Sequence, residues 1–156
     1  MHTEDLDDLD EFILHELQRD ARHVSASTIA ESVDVAPSTV RNRIRKLEDC
    51  DVIKGYPLDV DYELAGYPLH TLIVCTAPMP EREELAKEAL DVPGVVAVRE
   101  IMTGEENIHA TVVGTDHDDL SRIGQDLNEL GLEVVEEDLI RSEHYQSFQR
   151  FDSREE

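Results

Sequence analysis

A chain of 156 residues is long enough for one ordinary domain or two small ones, and 40% apolar content is enough to build their cores, which argues against a disordered chain. Asp and Glu number 37 against 14 Lys and Arg, a formal net charge of −23 with the acids spread over both halves, so the excess is a solvated acidic surface and not an acidic tail. No stretch approaches the roughly 18 apolar residues of a membrane span, and the opening MHTEDLDDLDEF has neither a basic region nor an apolar run, so a signal peptide and a membrane location are not expected.

Leu6, Leu9, Ile13 and Leu17 fall at helical spacing behind an acid-rich first turn, which suits the positive end of a helix dipole. A helix is expected from about Asp5 to Arg19. A second, shorter one follows in SASTIAESV, where Ile29, Ala30 and Val33 share a face and Ser25 or Ser27 can cap the start. Pro37 opens a third helix, at a position where its missing N–H does no harm. Val40, Ile44 and Leu47 recur there at i, i+4 and i+7 as the buried stripe. The segment DCDVIKGYPLDVDYELAGYPL then carries a short strand signal followed by Pro and Gly punctuation, which places a boundary near Asp59 to Tyr67.

The second half alternates regularly. LHTLIVCTA reads as a strand, EREELAKEAL as a helix with Leu85 and Ala89 inward, and VVAVREIM as a strand; a turn at Gly104 leads into the strand NIHATVVG. A helix carrying Leu120, Ile123, Leu127 and Leu130 and a final strand, LEVVEEDLI, complete the order βαββαβ. This is a ferredoxin-like arrangement with both helices on one face of a four-stranded antiparallel sheet. The strands are apolar on both alternating faces, so the face without helices needs a cover, and the simplest is the same face of a second subunit. The expected class is α+β, with a helix-turn-helix domain over 1–58, a linker over 59–67 and a ferredoxin-like domain over 68–156.

Residues 37–48, PSTVRNRIRKLE, hold four basic side chains and one acid inside this acidic chain. At 100° per residue Ser38, Asn42 and Arg45 lie almost opposite the buried stripe, flanked by Arg41 on one side and by Thr39 and Lys46 on the other. These six side chains are placed to reach phosphates and base edges in a major groove, where Arg reads guanine bidentately and Asn reads adenine. A solvated amphipathic helix has the same periodicity. The charge contrast separates the two, because elsewhere the chain places acids on its solvated faces and here it places Arg.

The phrases LDDLDEFILHELQRDAR and LEDCDVIKGY resemble the opening and closing phrases of the helix-turn-helix in the Lrp/AsnC, or feast/famine, family of transcriptional regulators, and MTGEEN resembles a turn of its second domain. The resemblance implies a winged helix-turn-helix followed by a RAM or AsnC-type domain, in a cytoplasmic protein that binds double-stranded DNA as a homodimer or a higher oligomer such as a tetramer or octamer. It also implies an amino-acid or related effector between C-terminal domains, here at Met102, Thr103, Gly104 and Asn107. Three departures stand out. Ala36 occupies the position where the family has a capping Ser, Asn107 that of the Asp which suits an amino group, and Val135 and Glu137 those of threonines on the last strand. The acid-rich, Lys-poor composition suits a cytosol at molar salt, as in a halophilic archaeon, where the Debye length shrinks to roughly 3 Å.

Two other function classes share parts of this pattern. Sirohaem decarboxylases resemble the same two-domain fold, with His and Arg beside an Asn-x-Trp stretch; Asn107 matches the Asn, but the chain has no Trp, and Val98 and Met102 stand where the His and Arg belong. A regulatory sensor that has lost DNA binding is disfavoured by the intact Arg face. No enzyme activity, catalytic residue or cofactor is expected, since no Gly-x-Ser-x-Gly elbow or phosphate-cradling loop occurs. His70, His109 and His144, expected on separate strands, lack His-x-x-x-His or Cys-x-x-Cys spacing, so no metal is expected, and Cys50 and Cys75 read as reduced thiols.

Overall fold

The computed structural model describes residues 5–152, which form two units, one of residues 5–58 with 144–152 and the other of residues 59–143. Residues 1–4 and 153–156, the outer ends of the two expected domains, lie outside the described residues.

The first unit contains α1 (Asp8–Asp20), α2 (Ala26–Val33) and α3 (Pro37–Asp49). Helix α1 starts three residues later than its periodicity suggests because Asp7 caps it. The Asp7 carboxylate accepts the Asp10 N–H at 2.9 Å and the Asp10 carboxylate accepts the Asp7 N–H at 3.3 Å, satisfying two amides that the helix leaves open. Ser25 caps α2 by accepting the Thr28 N–H at 3.1 Å, whereas Ala36 gives α3 no side-chain cap. Phe12, Ile13, Leu14, Ile29, Ala30, Val40 and Leu47 fill the core, with Ile44 half-buried at its edge. No strand forms between α3 and Leu69 among the described residues, although the sequence signals one; a strand needs a ladder partner, and Pro57 removes a donor.

The C-terminal segment corrects the expected extent of the second domain. Residues 144–152 belong with α1, where Ser147 Oγ donates to the His15 carbonyl at 3.1 Å and the Phe148 N–H donates to Gln18 Oε1, also at 3.1 Å. Phe151 packs against the core of the first unit and meets Phe148 edge to face with ring centroids 4.9 Å apart. The physical reason is that β4 ends at Leu139, and the aromatic residues after it find apolar surface on α1.

The second unit contains β1 (Leu69–Thr76), α4 (Arg82–Ala89), β2 (Val95–Glu100), β3 (Ile108–Gly114), α5 (His117–Glu129) and β4 (Glu133–Leu139). The strands lie in the order β2-β3-β1-β4 and every pair is antiparallel. Ile73 and Cys75 of β1 and Ile108, Ala110 and Val112 of β3 share one face with Leu85, Ala89, Leu120, Ile123 and Leu127, so both helices cover that face. Gly94 precedes β2 with φ of 102°, and a Cβ there would lie 2.5 Å from Ile123 Cδ1, so glycine is required by both conformation and space. On the opposite face Leu72, Val74, Thr111 and Val113 form an apolar centre, between Ala97 and Arg99 of β2 and Glu136 and Asp138 of β4. Residues 59–67, expected as a linker, belong to this unit, and the Tyr62 ring lies 5.5 Å from that of His70 on this face.

Candidate nucleic-acid interface

Helix α3 separates its two faces as its periodicity requires. Val40 and Leu47 are buried, while Ser38, Arg41, Asn42, Arg45 and Lys46 are exposed and Thr39 is half-exposed. All six candidate contact residues therefore reach solvent from one helix. Arg41 and Arg45 make no hydrogen bond or ion pair among the described residues, so each keeps its full donor set for an external acceptor. Ser38 and Thr39 add hydroxyls in the first turn, where the positive end of the helix dipole favours a phosphate.

The fourth basic residue of the stretch is committed elsewhere. Arg43 Nη1 donates to Asp7 Oδ2 at 2.6 Å and to Asp10 Oδ1 at 3.1 Å. The Asp7 carboxyl is held below its usual range, first by the Asp10 backbone N–H and then by the Arg43 guanidinium, and the two carboxylates hold Arg43 above its own usual value. The basic stretch thus presents fewer charges to a partner than its composition suggests. Sequence reasoning left Arg43 without a role; its position on the flank of the buried stripe is the signal that it faces a neighbouring helix.

The four residues expected at an effector site lie in the connection between β2 and β3 and differ in exposure. Asn107 is 3% exposed, and both ends of its amide are used by one backbone residue: Oδ1 accepts the Ala77 N–H at 2.8 Å and Nδ2 donates to the Ala77 carbonyl at 2.9 Å. Met102, 86% exposed, lies with Thr103 and Gly104 at the open tip of the turn. Gly104 adopts φ of 95°, and a Cβ there would meet open space, so the glycine serves the conformation of the turn itself. The base of the turn is closed by the Ile101 N–H donating to the Asn107 carbonyl at 2.8 Å and by Arg82 Nη1 donating to the Ile101 carbonyl at 3.3 Å. Val135 and Glu137 are exposed on β4, with Glu137 opposite Ile73 in register.

Other reactive side chains are dispersed. Among the described residues no group of three or more His, Cys, Asp or Glu is placed to hold a metal ion. His144 lies in the C-terminal segment rather than on a strand, while His109 stands opposite Val74 in the sheet. Cys50 is exposed after α3 and Cys75 is buried in the second unit, so they form no disulfide. No helix of the described residues is long and apolar enough to cross a membrane.

A three-helix unit whose last helix turns an exposed basic face outward, joined to a ferredoxin-like unit, is the architecture of a helix-turn-helix transcriptional regulator. Residues 6–48 match the AsnC-type helix-turn-helix domain. The chain is 32% identical over 144 residues to an HTH-type transcriptional regulator of Pyrococcus furiosus, spanning 86% of this chain and 96% of that one. It is also 32% identical over 126 residues to the HTH-type transcriptional regulator LysM of Sulfurisphaera tokodaii, spanning 81% and 87% of the two chains. The crystal structure of the leucine response regulatory protein LrpA of Mycobacterium tuberculosis has the same fold, with a TM-score of 0.75 at 25% identity over 90% of this chain and 96% of that one. The chain belongs to the Lrp/AsnC family of HTH-type transcriptional regulators.

Proposed function

We propose that the protein is a cytoplasmic, sequence-selective regulator that inserts α3 into the major groove and works as a dimer at high salt. The observation that carries this reading is the outward face of α3, where Arg41, Asn42 and Arg45 stand exposed in a chain of net charge −23. A body of that charge repels DNA at long range when unscreened. At molar salt the repulsion is screened, and contacts made at hydrogen-bonding distance remain. Arg41 and Arg45 then bind phosphate or guanine, and Asn42 reads adenine.

Dimerisation pairs the helix-free sheet faces as a two-fold contact of like faces, where Leu72 of β1 is half-buried in the single chain. An amino acid or related metabolite bound at the turn of the second unit is met by Met102, Thr103 and the Gly104 backbone, with Asn107 holding the turn from within. That turn has no carboxylate at position 107 to match an α-amino group, so amino-acid binding is expected to be weaker than in relatives carrying Asp there.

The test is duplex binding by fluorescence anisotropy at high salt, using a duplex enriched from a random pool by the native protein. Arg41→Ala with Arg45→Ala is expected to weaken binding strongly. Asn42→Ala is expected to relax preference at one base pair by roughly 1–3 kcal/mol. Wild-type affinity in a folded double variant would remove α3 from the groove.

A further inference from the structure

We propose that Arg43 is the positioning residue of the recognition helix: it forks from α3 to the two carboxylates that cap α1 and so fixes the roll of α3, setting the direction in which Arg41, Asn42 and Arg45 meet base edges. This rests on α3 being the groove helix. The two carboxylates are themselves held. Asp7 and Asp10 each accept the other's backbone N–H, at 2.9 and 3.3 Å, and Asp10 is only 8% exposed. A continuous set of hydrogen bonds therefore runs from the backbone of α1 through two fixed carboxylates to one guanidinium nitrogen of α3, at 2.6 and 3.1 Å.

Val40, Ile44 and Leu47 also hold α3 to the core, and apolar contact is non-directional. A charge-assisted fork is directional, and it acts at the edge of the buried stripe, where rotation about the helix axis would stretch it first. At 100° per residue Arg43 lies about 160° around the axis from both Arg41 and Arg45. A roll of about 10° displaces a side chain at the helix surface, ~5–6 Å from the axis, by roughly 1 Å. Bidentate base contacts tolerate about half that displacement. With two acids as partners, Arg43 contributes little charge to a phosphate. Its removal should therefore change base discrimination without changing the number of phosphates neutralised.

Lysine is not an equivalent replacement, because the N–H directions of a planar guanidinium are fixed, whereas an ammonium is a compact, strongly hydrated point charge on a flexible stem. Graded loss through Arg43→Lys to Arg43→Met is the signature of positioning. Simple stabilisation would instead lower the folded fraction and leave the folded protein's discrimination intact.

The experiment begins with repeated selection of duplexes from a random pool by the native full-length protein. Failure of any sequence to enrich would count against sequence-selective binding itself, before Arg43 is questioned. Arg43→Lys and Arg43→Met are then compared with the native protein on the enriched duplex and a shuffled duplex, at salt where circular dichroism shows each fully folded. Arg43→Met is expected to lose discrimination about tenfold with an unchanged slope of log affinity against log salt, and Arg43→Lys to recover part of it. Retained discrimination with an unchanged slope in both variants overturns the proposal. So does retained discrimination with a slope reduced by about one, which would make Arg43 a phosphate contact. If Arg43→Met does not fold, Arg43→Lys decides alone: wild-type discrimination rejects the proposal and partial loss supports it.

Discussion

Asn107 and Ala77 are joined by two hydrogen bonds, the side-chain oxygen accepting the Ala77 N–H at 2.8 Å and the side-chain nitrogen donating to the Ala77 carbonyl at 2.9 Å. Ala77 follows β1 and Asn107 precedes β3, so a single amide ties the exit of one central strand to the entrance of its neighbour. Both residues are buried, at 3% exposure each, so a group left unpaired there has no solvent to turn to.

This pairing makes Asn107 a stability residue. Asn107→Ala is expected to strand two buried backbone groups at about 1–3 kcal/mol each. Asn107→Asp keeps an acceptor for the Ala77 N–H but offers no donor to its carbonyl when ionised, so it too should lower the denaturation midpoint. Denaturant unfolding at high salt measures both variants, and an Asp variant as stable as the native protein would show that the carbonyl finds another donor. Calorimetric titration of the same variant with amino acids separates this structural role from ligand binding.

Phe151 ties the C-terminal segment to the first unit. Truncating the half-buried ring in Phe151→Ala is expected to cost about 1–3 kcal/mol, below the range for a fully buried Phe. Amide hydrogen exchange should show the loss in α1, beside His15 and Gln18, with the strands of the second unit unaffected. Equal protection of α1 in the native and variant proteins would mean that the segment contributes nothing to that helix.

Stability should rise with salt, because 37 acidic residues on a small body repel one another when unscreened. Thermal unfolding between ~0.1 M and ~3 M KCl spans Debye lengths from about 10 Å to under 3 Å. An increasing melting temperature is expected. A flat or falling one would contradict adaptation to molar salt.

The two thiols should react very differently. Cys50 is exposed, whereas burial, and then the nearby Glu137 carboxylate, push the Cys75 thiol up to about 11. Iodoacetamide at pH 8 is expected to modify Cys50 in the folded protein and Cys75 only after unfolding. The raised value also fixes the sign of an alkaline effect. The folded state holds this proton more tightly than the unfolded chain, so its stabilisation is complete below the ordinary value of 9.0 and is lost as pH rises towards about 11. A titration of unfolding free energy across pH 9–11, compared with Cys75→Ala, isolates that contribution.

Features that depend on near neighbours in the chain are legible in the residues alone. The stripe Val40, Ile44, Leu47 places Arg41, Asn42 and Arg45 on the outer face of α3, and the alternating pattern of the second half yields the order βαββαβ, because helix and strand periods are read over a few residues. Ala36 likewise shows in the sequence that α3 lacks a side-chain cap. Contacts between distant segments are visible only in the folded chain. Arg43 resembles its basic neighbours until α1 brings Asp7 and Asp10 within reach, 36 and 33 residues away. Asn107 looks like a free turn residue until strand pairing sets it against Ala77, and Phe151 looks like the end of the second domain until α1 offers it a surface. Hydrogen bonds and ion pairs at such separations follow from how elements pack, and a local pattern of apolar and polar residues carries no record of which polar group will meet which.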